Sequence, residues 1–479
     1  MARRCTRRQF LKRSAFLAGA AGVARGPIVL AAESPNSRLG MALIGCGGRG
    51  TGAHLPECAR QRLVALVDVD ERQSAKALKH LETNAAKFRL ANLDLSKVKV
   101  FTDYRKMFDE MPKDLDAVVI ATPDHQHACP AMMAIQSGKH VYCEKPLTHN
   151  IAEARALGEA TRKAKVATQM GNQGLGTGGD QALAEYLQAG AIGNVVEVHS
   201  WHCWGDRFGG SFPRPPAEPI PQGLHWDDWI GPAPYRQYHK RCHPGYWHGW
   251  LDFGTGSLGG WGTHLWDATD YALKLGFPTS VEAVRMEDAS AERFPMLTTL
   301  CYEFPARGSR AALKVFWYEG SHVKGKNVGP EGDNEETTGI NRPKLATEIE
   351  KKHGRKLGGV GTLLVGEKGI IHVGSHGGAP RIIPEEQHKA FPVPPRTLPR
   401  TKGGIWADFL RAAREGGAPP ISSFADFAGP LLEALCVGHL AMRAGLGKKV
   451  EWDGAVMKCT NLPELNRFVA RDYRKGWSL

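Results

Sequence analysis

From residue 39 onward, short aliphatic and β-branched runs alternate with stretches whose apolar residues recur at helical spacing. Residues 41–44, 63–67, 98–101, 117–121, 140–143 and 166–170 predict six strands, with helices over 71–87, 126–136 and 151–165 between them. Near-continuous apolar strands separated by helices imply parallel pairing, because parallel neighbours need a crossover connection. A doubly wound, Rossmann-type α/β domain is therefore expected over 37–171. The pattern then changes. Residues 195–203, 281–286, 297–304 and 311–318 are β-rich runs joined by loops, and strand character returns at 362–373 and 380–383. Helices are expected at 406–414 and 427–444. Residues 172–479 thus read as an α+β domain with a large, open, mostly antiparallel sheet, in which the polar stretch 319–358 is a surface excursion.

Composition narrows the class. With 42% hydrophobic and 23% charged residues the chain is that of a soluble globular enzyme. The net charge of +13 is concentrated at one end: seven basic and no acidic residues fall in 1–32, leaving +6 over the remainder without a dense basic run. Nucleic acid is therefore not an expected partner. Residues 1–32 read instead as an address. Thr6-Arg7-Arg8-Gln9-Phe10-Leu11-Lys12 is a twin-arginine motif, the apolar stretch 14–24 is too short for a stable membrane span, and small residues at 29–32 offer cleavage sites. The expectation is a periplasmic or otherwise exported protein that meets the twin-arginine machinery already folded and loaded with cofactor. Of ten cysteines, Cys5 falls in this signal, and the others show neither CxxC nor zinc-finger spacing. His239 and His243 have HxxxH spacing without an evident third ligand, and no metal is expected.

The first strand runs into Gly45-Cys46-Gly47-Gly48-Arg49-Gly50. After a strand and before a helix, Gly45, Gly47, Gly48 and Gly50 permit a tight turn and close approach of backbone N–H groups to a pyrophosphate. Asp68, at the end of the second strand, suits the adenosine ribose hydroxyls and repels a 2′-phosphate, which favours NAD; nearby Arg72 leaves NADP as the lesser alternative.

Ala121-Thr122-Pro123-Asp124-His125-Gln126-His127 and Cys143-Glu144-Lys145-Pro146-Leu147, together with residues 225–234 (HWDDWIGPAP) and 252–267 (DFGTGSLGGWGTHLWD), carry a resemblance to a known family. The chain resembles the glucose–fructose oxidoreductase / inositol dehydrogenase / rhizopine-catabolism (Gfo/Idh/MocA) family over nearly all of its length after the signal. The resemblance implies that Lys145 lies beside the nicotinamide and the substrate hydroxyl, with Thr122, Pro123, His127 and Glu144 around the cofactor, and that the protein is a homo-oligomer formed through its open sheet. Bottom-up, a lysine just past a parallel strand's carboxyl end, close to a cationic ring, has its charge disfavoured and exchanges protons near neutral pH. His264 matches the family's catalytic histidine, but the position four residues earlier, commonly Asp in the family, is Gly260. Asp267 either orients His264 or caps a helix.

Eight of the twelve tryptophans lie between 201 and 266, interleaved with histidines. Aromatic faces beside polar donors suit a sugar, whose C–H faces pack on rings while its hydroxyls hydrogen-bond. Trp204, His225, Trp247, His248 and Asp267 are the substrate-side candidates. Three functions follow: an exported NAD(P)-dependent oxidoreductase acting on a carbohydrate or polyol hydroxyl, a glycoside hydrolase that oxidises its sugar transiently with a retained NAD, or a sugar-binding protein without catalysis.

Overall fold

The computed structural model describes residues 38–90, 93–203, 208–321 and 340–479. Strand β1 (Gly40–Ile44) leads through the glycine loop into α1 (Leu55–Arg60), and β2 (Arg62–Val67) leads into α2 (Glu71–Asn84). Then follow β3 (Lys99–Phe101), α3 (Tyr104–Glu110), β4 (Ala117–Ile120), α4 (Ala128–Gln136), β5 (His140–Cys143), α5 (Ile151–Ala164) and β6 (Thr168–Met170). All six strands are parallel, in the order β3–β2–β1–β4–β5–β6. Strand order reverses beside β1, so the loops after β1 and β4 leave in opposite directions and open the crevice where such sheets bind ligands. Asp70, Asp103 and Asn150 cap α2, α3 and α5 by accepting the backbone N–H of Arg72, Arg105 and Glu153, each cap being worth about 1 kcal/mol.

The remainder contains α6 (Gly179–Gln188), β7 (Val195–His202), α7 (Trp226–Ile230), α8 (Gly256–Leu273), β8 (Ser280–Glu287), β9 (Leu297–Phe304) and β10 (Leu313–Gly320). It continues with α9 (Lys344–His353), β11 (Val360–Gly366), β12 (Gly369–Val373), β13 (Arg381–Ile383), α10 (Glu385–Ala390), α11 (Gly404–Glu415), α12 (Gly429–Ala444), β14 (Lys449–Asp453) and β15 (Lys458–Cys459). These strands form one nine-stranded sheet, β13–β12–β11–β7–β10–β9–β8–β14–β15, antiparallel except where β7 runs alongside β10. The fold class is the one expected: a Rossmann layer followed by an α+β layer on a mostly antiparallel sheet.

Several elements differ from the sequence expectation. The run 362–373 is the hairpin β11–β12, turning between Gly366 and Gly369. Within 319–358, α9 buries Ala346 and Ile349, which join Trp201, Cys203, Ile340 and Leu357 in a small core, so part of that polar stretch is built structure. Helix α8 has no counterpart among the expected helices, because Gly256, Gly259, Gly260 and Gly262 depress its intrinsic propensity. Tertiary contact overrides the propensity. A Cβ at Gly262 would lie 2.8 Å from Leu435 of α12 and one at Gly438 would lie 2.8 Å from Leu258, so the two helices approach where their glycines allow it. The stretch Phe424–Ala444 is long and apolar enough to cross a membrane, but most of it is buried inside the protein as the α12 core helix. All nine described cysteines are free thiols, eight of them buried.

Candidate functional site

The crevice after β1 and β4 holds a cleft of about 370 Å³. Gly45, Gly47, Gly48, Asp68, Thr122, Pro123, Glu144 and Lys145 border it from the Rossmann side; Trp247, His248 and Gly260 border it from the other. Gly50, His127, His225, His264 and Asp267 lie outside its lining. Trp204 lies outside the described residues.

Two of the loop glycines answer to the protein's own packing. Gly45 has φ +90°, its N–H donates to the Val67 carbonyl at 2.8 Å, and a Cβ there would sit 2.7 Å from the Ala121 carbonyl. A Cβ at Gly50 would lie 1.9 Å from the Gly45 oxygen. Gly47 and Gly48 face open space instead: the nearest atom to a Cβ on Gly47 is 3.8 Å away, and nothing lies within 4 Å of one on Gly48. Their bare backbone leaves room for a pyrophosphate to approach the N–H groups. The residues present therefore fit a dinucleotide.

Asp68 ties this loop to β2. One carboxylate oxygen accepts the Cys46 N–H at 2.7 Å and the other the Asp70 N–H at 2.9 Å. Burial pushes its pKa up to about 6, against the lowering effect of those hydrogen bonds. Arg72, the residue that kept NADP open, is bound at 2.7 and 2.8 Å by the two oxygens of Asp70. Its charge is thus matched locally.

Glu144 and Lys145 emerge from the end of β5. Burial alone would raise the Glu144 carboxyl, but the hydrogen bond from His54 (2.7 Å) and the charges of His54 and Arg49 hold it at about 2. Glu144 therefore remains an anion at the cleft, bracing the start of α1 through His54 and the glycine loop through Arg49. Behind it, His127 bridges the two motifs, with its ring nitrogens 2.7 Å from the Pro146 carbonyl and 2.9 Å from the Thr122 carbonyl. Asp124 accepts both the N–H (3.0 Å) and the hydroxyl (2.6 Å) of Thr255, fastening the Rossmann domain to the start of α8. Across that junction the Lys145 ammonium donates to the Gly260 carbonyl at 3.0 Å.

Beyond Lys145 lies an aromatic wall that sequence reasoning did not assemble. Trp261, partly exposed, stacks on His202 at 4.3 Å and meets His264 edge-on at 5.9 Å and His376 at 5.7 Å. His264 and His376 stack on each other at 4.0 Å. His202 in turn pairs with Ser257 at 2.5 Å. Burial, followed by the positive charge of Lys145, lowers all three imidazoles below the ordinary histidine range and keeps them neutral. His376 comes from the loop after β12 and adopts a left-handed φ of +58°. Nothing in its local sequence marks it, since the Ser-His-Gly-Gly run reads as a turn; only the register of the large sheet carries it to α8.

The other candidates are dispersed. Trp247 and His248 stack at 3.7 Å on the cleft rim, whereas His225 bonds Glu71 at 2.8 Å, away from the cleft. Asp267 sits inside α8, where it accepts the Ala268 N–H; it neither caps a helix end nor hydrogen-bonds His264. Burial and the neighbouring Asp180 raise its pKa well above the carboxylate range. His239 turns to Glu218 and His243 to Asp70, and no group of three metal-ligating side chains is present among the described residues.

Residues 39–172 match the Gfo/Idh/MocA model described as an oxidoreductase family with an NAD-binding Rossmann fold, and residues 188–293 match its C-terminal alpha/beta domain. A levoglucosan dehydrogenase of Pseudarthrobacter phenanthrenivorans is 33% identical over 95 residues, 20% of this chain and 24% of the relative. An inositol 2-dehydrogenase of Rubrobacter xylanophilus is 30% identical over 173 residues, 35% of this chain and 44% of the relative. The matched segments span less than half of these curated relatives. Among solved structures, an aldose–aldose oxidoreductase from Caulobacter crescentus complexed with glycerol aligns with a TM-score of 0.52 at 20% identity, covering 86% of this chain and 99% of that one. The WlbA dehydrogenase from Bordetella pertussis, in complex with NADH and UDP-GlcNAcA, aligns at 0.53 and 16% identity, covering 87% and 99%. These two share the fold.

Proposed function

Since the chain belongs to the Gfo/Idh/MocA oxidoreductase family, we propose that it is an NAD-dependent dehydrogenase acting on a hydroxyl of a carbohydrate or polyol. The observation that carries this reading is the Lys145 ammonium, held by the Gly260 carbonyl where the glycine-loop cleft meets the aromatic wall. When bound, NAD supplies the hydride acceptor and donor. Lys145 handles the hydroxyl proton, because an amine can donate and accept at one atom. His264 and His376, held neutral by burial, add no second cation beside Lys145. The exposed part of Trp261, flanked by imidazoles, suits the C–H face and hydroxyl rim of a sugar ring. Relatives named for inositol and levoglucosan support a polyhydroxylated substrate.

A second reading rests on the cluster of neutral imidazoles. In it a sugar carbon is oxidised transiently, a base removes the acidified neighbouring C–H, the aglycone leaves, water adds and the carbon is reduced again. Net hydrolysis then consumes no redox equivalents, which suits an exported enzyme. We place the protein outside the cytoplasm on the twin-arginine motif of residues 6–12, and as a homo-oligomer through the open face of the nine-stranded sheet.

Native mass spectrometry of the protein recovered from the cell envelope reads these points together. The expected result is a multiple of the subunit mass, with bound NAD and cleavage near Ala31 or Ala32. Aryl glycosides then separate the readings: aglycone release without net NADH selects hydrolysis, and NADH formation with a free sugar or polyol selects the dehydrogenase. Protein that neither retains nor binds a nicotinamide nucleotide sinks both.

A further inference from the structure

Residues 469–477 run back across the mouth of the Rossmann domain, far in sequence from the elements they touch. The Val469 carbonyl accepts the Ala152 N–H at 3.0 Å. Arg471 donates to Glu153 at 2.9 Å and to the His125 carbonyl at 2.6 Å, and the Tyr473 hydroxyl donates to Glu153 at 2.8 Å. Arg474 donates to the Gly231 carbonyl at 3.0 Å and the Asp227 carbonyl at 2.7 Å, and pairs with the Asp227 carboxylate. The Trp477 N–H then closes a turn onto the Arg474 carbonyl.

So pinned, Trp477 borders the same cleft as the glycine loop, at the end lined by Asp68, Gln73, Thr102 and Tyr104. The Arg105 guanidinium lies 4.3 Å over its ring, and Tyr104 is tilted against it at 6.2 Å. Arg105 is itself held by Asp103 at 2.9 Å and by Asp228 at 3.3 Å. A dinucleotide with its pyrophosphate at Gly47–Gly48 and its ribose hydroxyls at Asp68 extends its adenine, by covalent order, toward this end of the cleft. An aromatic ring fixed there offers the base a π-face or edge, a contact that tolerates any purine and excludes water.

We propose that Trp477 forms the adenine wall of the cofactor site, and that the pinned segment 469–477 retards exchange of the nucleotide. The inference rests on the NAD-dependent reading above and adds a binding residue from outside the Rossmann domain. It also supplies a physical basis for a cofactor carried through export rather than exchanged.

The test is a calorimetric titration of the nucleotide-free full chain with NAD and with ADP, beside stopped-flow displacement of bound NADH. Trp477→Ala is expected to weaken NAD and ADP by the same factor, roughly tenfold to a hundredfold, the range that one base–aromatic stack supplies. Trp477→Phe retains most of the affinity. Arg474→Ala, which touches no part of the cleft, speeds NADH release by unpinning the segment. Melting of the nucleotide-free variants is the control for folding. Unchanged NAD and ADP affinity in Trp477→Ala overturns the proposal, and so does a loss for NAD with ADP unaffected, since the ring would then lie away from the base. Wild-type protein that binds neither nucleotide overturns the NAD-dependent reading itself.

Discussion

The wall carrying the glycine loop draws on one stretch of chain, residues 45–145, whereas the wall beyond Lys145 takes His202, Trp261, His264 and His376 from separated segments. The first is shaped by backbone sterics and by a charge network around Glu144. The second is shaped by ring stacking and by burial that keeps imidazoles neutral. A wall set by backbone contact leaves almost no room for a side chain at its tight positions. A wall set by stacking tolerates exchange of rings, and so, on the proposed function, is the side expected to set substrate preference independently of the cofactor site.

The sharpest way to break this contrast is at the glycines. Gly50→Ala, with a Cβ 1.9 Å from the Gly45 oxygen, is expected to abolish nucleotide binding and lower Tm. Gly47→Ala meets only open cleft and is expected to keep stability within ~0.5 kcal/mol while weakening NAD. Melting curves and NAD titrations of the pair check this, and equal destabilisation by both would show that the loop is not divided between packing and ligand approach.

Next in size are the proton-handling residues. Lys145→Ala should cost ~10²- to 10⁴-fold in kcat with NAD affinity retained, the usual range for loss of a general acid–base group. His376→Gln should cost less, ~10-fold, and displace the pH–rate profile, because its ring acts through the stack with His264. A Lys145→Ala enzyme turning over at the wild-type rate removes the mechanism. A His376→Gln enzyme with an unmoved profile reduces that residue to a structural role.

The smallest effect is on stability against pH, where the walls should fail separately. His202, His264 and His376 have folded pKa values below the ordinary 6.5 because burial disfavours their charge. The unfolded chain therefore takes up their protons first, and the stability they contribute falls as pH drops below 6.5. Glu144 is depressed from 4.5 to about 2, so its contribution is intact above 4.5 and is lost only as pH falls toward 2. That shift corresponds to about 3 kcal/mol. Urea unfolding of nucleotide-free protein from pH 8 to 3 should show two limbs. Glu144→Gln is expected to flatten the lower limb alone; a change confined to the upper limb would contradict the assignment.

The legibility of the site follows the same division. The strands of the parallel sheet were readable because strands buried on both faces are almost continuously apolar, and β1 and β4 are buried at every position. Gly45, Asp68 and Lys145 were readable because their chemistry lies within a few residues of a strand end. Helix α8 was not, since its glycines argue against a helix until α12 is packed against it. His376 was not, since it reaches His264 through sheet register rather than sequence spacing. His225 and Asp267 share residue type with functional groups, but the fold turns one to the surface and buries the other in α8.

The amino-acid sequence by itself determined the doubly wound layer, the glycine loop and the lysine at the end of β5, because each depends on contacts between neighbours along the chain. Only the tertiary structure decided which glycines serve packing and which serve a ligand. It also decided that Gly260 presents its carbonyl to Lys145, that three distant histidines share one aromatic wall, and that Trp477 returns to the cofactor cleft. These are long-range approaches, fixed by how helices and strands from far parts of the chain exclude water from one another, and no local pattern encodes them.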